Sequence, residues 1–267
     1  MLAIWLIVHF CDDARMLGWR LPLASGVLAL GLLPTSAAAD FALNAPMTGT
    51  MPGQTGGTVL NFPLVGSGDT VSVALRYDGA NPGTDSGVGF IVFHDTNIIL
   101  NQPASNDTGY GAVGLAFATI NGLNYDVQAY NYLPNFNATY HLLISDPSQG
   151  PTPRPLPRGD AGALQRDHSS RQILAGGGAT HNYQFVGDGT PLTLVLDARP
   201  RDPVNDNGIG LAVYDTYGNG IQNITFRHAL SPTGAIVWSF ITTAGLVDTV
   251  QAYNYEPRPI TYVVAAL

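Results

Sequence analysis

The chain contains no lysine, one glutamate (Glu256) and one cysteine (Cys11) among its 267 residues. Charged residues make up only 11% of it, and the formal net charge is −8. Nucleic acid and acidic lipid are poor partners for such a chain, because both need clustered cations to displace counterions from phosphates. Cys11 lies in the segment read below as an export signal, which leaves the mature chain no thiol and excludes disulfides and thiol catalysis. The histidines His94, His141, His168, His181 and His228 are scattered, with no H-x-x-x-H or similar spacing, which argues against zinc. No stretch of the mature chain keeps a helical period. Disorder is also excluded, since 45% of the residues are apolar.

The N-terminus reads as an export signal. Arg15 and Arg20 precede an apolar run from Leu21 to Leu33, and Ala37-Ala38-Ala39 forms a small-residue cleavage site before Asp40. Residues 1–39 are therefore expected to be removed, with Met16 an alternative start. The apolar core is short for a membrane span, so no span is expected after cleavage.

An internal repeat dominates the rest. Asn61-Phe62-Pro63-Leu64-Val65-Gly66 aligns with Asn182-Tyr183-Gln184-Phe185-Val186-Gly187, and Val71, Val73 and Leu75 align with Leu192, Leu194 and Leu196. Pro82, Asp85, Gly87 and Gly89 then meet Pro203, Asp206, Gly208 and Gly210, and Val-Gln-Ala-Tyr-Asn-Tyr occurs at both 127–132 and 250–255. Between the copies, Pro147, Pro151, Pro153, Pro155 and Pro157 cluster with Arg154, Arg158, Arg166 and Arg171, a composition that favours an extended spacer. The expected organisation is a first module over 40–145, a Pro/Arg-rich linker over 146–178 and a second module over 179–267.

Within each module the period is two. Val71, Val73 and Leu75 alternate with Thr70, Ser72 and Ala74 as in a half-buried strand. Val88–Phe93 and Ile209–Tyr214 are nearly continuous apolar runs, as expected of strands covered on both faces. Turns such as Gly66-Ser67-Gly68, Asn121-Gly122 and Gly187-Asp188-Gly189 separate the strands. Short strands at this spacing indicate an all-β chain of two tandem β-sandwiches.

The second copy runs through His181-Asn182-Tyr183-Gln184-Phe185, Thr193-Leu194-Val195-Leu196-Asp197 and Gly208-Ile209-Gly210-Leu211-Ala212-Val213-Tyr214-Asp215. It closes with Val250-Gln251-Ala252-Tyr253 and Thr261-Tyr262-Val263-Val264. This succession resembles the bacterial pre-peptidase C-terminal domain. The resemblance implies a jelly-roll-like sandwich of the kind appended to secreted proteases and other exported hydrolases.

Candidate sites are few. Asp107-Thr108-Gly109 matches the aspartic-protease triplet, but that chemistry needs two such aspartates and the second copy supplies none, so a loop is expected. Thr84-Asp85-Ser86-Gly87 echoes a trypsin-like nucleophile region, yet Asn207 replaces the serine in the second copy, which leaves a shared turn. Arg158-Gly159-Asp160 spells a cell-adhesion tripeptide, a match short enough to arise by coincidence. Asp202, Asp206 and Asp215, with Asn205 and Asn207 between them, offer oxygen ligands for a weak calcium site, which Asp78, Asp85 and Asp95 echo more loosely in the first copy. The same residues also suit Asx turns, which need no ion.

In the repeated hexapeptide, Gln128, Tyr130 and Tyr132 share one strand face, as do Gln251, Tyr253 and Tyr255. If that face is solvated, each module shows a strip suited to stacking on sugar rings or peptide. If it is the core, the strip vanishes. The sequence therefore predicts a secreted or cell-surface, non-catalytic binding or adhesive protein acting on an extracellular polysaccharide or protein polymer. A structural component of the cell envelope and an accessory of a secreted peptidase system are the alternatives.

Overall fold

A computed structural model describes residues 41–78, 87–103, 111–153, 156, 159–200, 208–226 and 235–267. The export signal, Cys11, Asp85, Ser86, Asp107-Thr108-Gly109, Arg158, Asp202, Asp206 and His228 lie outside the described residues.

The first copy folds as eight strands: β1 (Met47–Met51), β2 (Thr58–Val65), β3 (Thr70–Asp78), β4 (Val88–His94), β5 (Asn97–Pro103), β6 (Ala112–Ala118), β7 (Asn124–Asn131) and β8 (Ala138–Ser145). They form two antiparallel sheets in the orders β1-β8-β3-β6 and β2-β7-β4-β5. Eight strands wound in this way between two facing sheets are a jelly roll. Next come β9 (Gly159–Ala163), then β10 (His168–Leu174), β11 (Ala179–Val186), β12 (Pro191–Arg199), β13 (Ile209–Tyr214), β14 (Gly220–Thr225), β15 (Ile236–Ile241), β16 (Val247–Asn254) and β17 (Ile260–Ala266). Strands β10 to β17 repeat the first eight one for one, in the sheets β10-β17-β12-β15 and β14-β13-β16-β11. β9 adds a parallel edge strand beside β11.

The stretch 146–178 is not the extended spacer that its prolines suggest. It supplies β9 and β10, so the second sandwich begins near Gly159. The described prolines of the cluster stop before β9, and β10 is a polar edge strand (His168-Ser169-Ser170-Arg171) whose apolar signal is confined to Ile173 and Leu174. Two of the arginines tie the segment down. Arg171 donates to the Pro147 and Pro151 carbonyls, and Arg166 pairs with Asp188 and reaches the Leu267 carbonyl.

Each sandwich closes on its own core. Phe62, Leu75, Phe90 and Val127 meet in the first, and Tyr183, Leu196, Leu211 and Val250 in the second. A third apolar cluster joins them: Ala74 and Leu143 of the first pack with Val195, Val263, Ala265 and Leu267 of the second. The sheets holding β3 and β12 therefore lie back to back, and the two sandwiches form one compact unit.

That packing corrects one expectation. Ser72 and Ala74, expected to face solvent, are buried because the other sandwich covers them. β3, β8, β12 and β17 of the inner sheets are buried along both faces, and so are β13 and much of β4 in the outer sheets, as their apolar runs suggest. Burying a Leu side chain contributes about 1.5–3 kcal/mol, so parting the sandwiches would expose Leu143 and Leu267 at real cost.

The two copies meet through the same patch of each. Ala74 pairs across its sheet with Gly114, and Val195 pairs with Val237, so these residues hold equivalent positions. A Cβ on Gly114 would come within 2.3 Å of Val237 Cγ2, so the backbone of β6 packs directly on β15. At one end of the contact Arg199 reaches the Thr70 carbonyl and lies 3.5 Å from Asp69. At the other end His141 Nδ1 lies 2.6 Å from Asp167, and Ser169 donates to the Asn44 carbonyl at 2.6 Å. Burial works to raise the Asp167 carboxyl, but its hydrogen bond with His141 and the charges nearby outweigh it and hold the group below the usual range.

Candidate binding strips on the outer sheets

β7 and β16 run through the middle of the two outer sheets. Val127, Ala129 and Asn131 point into the first core, and Val250, Ala252 and Asn254 into the second. Gln128, Tyr130 and Tyr132, and likewise Gln251, Tyr253 and Tyr255, therefore lie on the faces turned away from the cores. Both sequence readings of the tyrosines hold in part. Tyr132 and Tyr255 are 50% and 62% exposed, while Tyr130 and Tyr253 on the same faces are only 5% and 4% exposed.

Glycine accounts for the difference. Tyr130 pairs across the sheet with Gly89, and Tyr253 with Gly210. A Cβ at Gly89 would come within 2.6 Å of the Tyr130 hydroxyl, and one at Gly210 within 2.3 Å of the Tyr253 hydroxyl. Each inner ring thus lies down over the bare backbone of its neighbour, and the outer ring packs on it. Tyr130 and Tyr132 stack at 5.0 Å and 27°, and Tyr253 and Tyr255 meet at 5.3 Å and 47°. Burial pushes the Tyr130 and Tyr253 hydroxyls up to about 12, with the neighbouring tyrosines adding to the shift.

An amide row crosses each strip. Asn61 of β2 lies opposite Gln128, whose other neighbour, Ile91, lies opposite Asn101 of β5. In the second sandwich the row runs Asn182, Gln251, Ala212, Asn223. Gln251 donates to the Asn182 side chain at 2.8 Å, and Tyr253 donates to Asn223 at 2.6 Å. The equivalent bond from Tyr130 to Asn101 is 3.4 Å.

The rows differ in one side chain that matters. Where the first has half-buried Ile91, the second has Ala212, the floor of a cleft of about 220 Å³. Tyr214, Tyr253 and Tyr255 provide aromatic surface, and Asn223, Thr225 and Gln251 the polar groups. Among the described residues no carboxylate or cation lines it. The volume is below the ~300–1,000 Å³ of pockets for drug-sized ligands and suits a single small ring.

The hexapeptide is kept in both copies for a further reason, one that sequence reasoning missed. Asn131 is fully buried and donates to the Met51 carbonyl at 2.9 Å and the Phe136 carbonyl at 2.7 Å, while its own oxygen accepts from Leu133 N–H. Asn254 does the same with Leu174, Arg258 and Glu256. Each amide ties the outer sheet to the inner one. Its recurrence at an alternating core position was the available signal.

Among the described residues the other candidates do not converge. Asp215 accepts hydrogen bonds from the Tyr217 and Asn219 backbone and from the Asn219 side chain, and these hold its carboxyl below the ordinary range, the Asn219 side chain contributing most. It is an Asx-type turn residue, and its proposed calcium partners Asp202 and Asp206 lie outside the described residues. Asp78 is engaged by Arg76 and His141 between the sandwiches. Among the described residues no group of three or more His, Cys, Asp or Glu could hold a metal ion. His141, His181, His94 and His168 sit in separate surroundings, the first two buried.

No family model matches the chain, and no curated protein does. Weak likenesses exist among solved structures. One is an archaeal virus protein described by its triple jelly roll fold and turret assembly, at 14% identity and a TM-score of 0.22, covering 81% of this chain and 57% of that one. The chain thus spans little more than half the length of that protein. Another is the CUB1-EGF-CUB2 region of human MASP-1/3, at 9% identity and a TM-score of 0.23, covering 83% of this chain and all of that one. A third is the M60 catalytic domain with two CBM51 domains from Clostridium perfringens ZmpB, at 8% identity and a TM-score of 0.25, covering 80% of this chain and 34% of that one. Likeness of this order extends to neither ligand nor activity.

Proposed function

We propose that this chain is an exported, non-catalytic binding protein that holds a neutral extracellular polysaccharide on the tyrosine–amide strips of its outer sheets. The observation that carries the reading is the cleft over Ala212, with tyrosine rings and amide groups around it. Ring faces of tyrosine match the C–H faces of a sugar, and the Gln and Asn amides both donate to and accept from its hydroxyls. A polymer with acidic groups would meet no cation among the described residues of the cleft and a net charge of −8 on the chain. The N-terminal leader pattern supports export. The resemblance of the second copy to a module of exported bacterial proteins supports the same placement.

Retention of the purified protein on insoluble cellulose, chitin, xylan and collagen tests the reading. Retention on at least one polysaccharide, weakened about tenfold by Tyr255→Ala, is expected. Retention on none of the polysaccharides overturns it. Retention on collagen alone makes the ligand a protein polymer instead.

A second reading, assembly within the cell envelope, has one feature in its favour. The edge strands β5 and β14 expose Ile98, Ile99 and Ile221, which suit strand pairing between chains. A monomer in gel filtration at high concentration would exclude it.

A further inference from the structure

We propose that the protein cross-bridges separate polysaccharide strands instead of gripping one strand twice; this rests on the polysaccharide-binding reading above. Two copies of a binding module on a flexible tether usually gain avidity, since both can reach one ligand when the linker spans the sites. Here the tether has no such freedom. The sheets β1-β8-β3-β6 and β10-β17-β12-β15 are back to back, sealed by Leu143, Val195, Val263 and Leu267. Arg199 on Thr70, His141 on Asp167 and Ser169 on Asn44 brace the contact from both ends. The layer order is therefore outer sheet, inner sheet, inner sheet, outer sheet.

Each strip lies on the side of its outer sheet turned away from its own core, so the two strips face opposite directions. Packed sheets are spaced about 10 Å apart, which puts the outer sheets roughly 30 Å from each other with the whole body between them. A flat polymer surface can touch only one strip. A single strand would have to fold back around the molecule to touch both. Two strands, one on each side, meet no such obstacle. The strips are also unequal: the second offers the cleft over Ala212, while the first offers a flatter platform of Tyr132 stacked on Tyr130 beside Ile91. A strong site and a weaker one on opposite faces make a connector that stays on one strand while recruiting another.

The experiment mixes the full mature chain with soluble xylan, hydroxyethyl cellulose, amylopectin and galactomannan and records binding and light scattering in parallel. Turbidity that rises and then falls with excess protein is expected with any polymer that binds. Tyr132→Ala, on the first strip, should abolish the turbidity and remove the weaker of two binding phases, while the tighter phase carried by the second strip remains. Avidity on one strand would instead show as a loss of affinity of about 10²–10⁴-fold in the same variant. Binding without turbidity, turbidity that survives Tyr132→Ala, or such a loss of affinity overturns the bridge and leaves the binding reading intact. Absence of binding to all four polymers, together with no retention on the insoluble ones, overturns both.

Discussion

Position for position, the first sandwich has Leu60, Phe62 and Ile91 where the second has His181, Tyr183 and Ala212. What the two share is architectural: the asparagine clasps Asn131 and Asn254, the bare backbones at Gly89 and Gly210, and the tyrosines that lie on them. What they do not share is polarity inside and space outside. The second core contains a hydrogen-bonded chain in which His181 Nδ1 lies 2.7 Å from the Tyr262 hydroxyl and that hydroxyl 2.6 Å from Tyr183. The first core has Phe62 and Leu60 at the matching places, and its Tyr140 packs on Phe62. The difference teaches that duplication preserved the scaffold of the strip in both copies while only the second lowered its floor.

Breaking the shared part should cost most, and equally in both halves. Asn131→Ala and Asn254→Ala each strand buried carbonyls, at about 1–3 kcal/mol per group left unpaired. Denaturant unfolding should show a loss of about 3 kcal/mol for either variant. A loss confined to one would mean that the clasps are not equivalent. Gly89→Ala and Gly210→Ala come next, at about 1–3 kcal/mol, because the added Cβ meets a tyrosine hydroxyl and a backbone carbonyl at 2.6 Å or less. Tyrosine near-UV circular dichroism should change along with stability.

The unshared part is tested by exchanging it. Ala212→Ile is expected to fill the cleft and reduce polysaccharide retention by at least about tenfold with little change in stability. Ile91→Ala should open a second cleft and raise retention, at a stability cost below the about 2–5 kcal/mol of a fully buried site. Failure of both exchanges would detach binding from the floor residue. The smallest effect is acid sensitivity. Burial, only partly offset by a hydrogen bond with the Leu156 backbone, lowers the His181 pKa, so the folded state takes up its proton less readily than the unfolded chain. That stabilisation is complete above about pH 6.5 and is lost as pH falls through the lowered value. His181→Leu, which restores the residue of the first copy, should flatten the fall in unfolding midpoint over that window.

The jelly-roll pair was legible because period-two strands, turn glycines and an internal repeat all point to one architecture. The contact between the copies was not. Ser72, Ala74 and Thr193 are small and near neutral, and such residues suit a wet face and a tightly packed one equally well. β10 was hidden for a similar reason, since an edge strand with a polar run carries no alternation to read. At the candidate site the strand parity of Gln128, Tyr130 and Tyr132 was readable from spacing alone. The unequal burial of the two tyrosines was not, because it depends on Gly89 lying opposite Tyr130, and register is not written in a single strand. The meaning of Ala212 has the same source.

The matching inner faces have a consequence for dissecting the molecule. Because the equivalent face of each half is covered by the other, neither half is a finished surface when separated. Fragments cut between β8 and β9 should reassociate when mixed, whereas either fragment by itself would take up a second copy of itself or come out of solution.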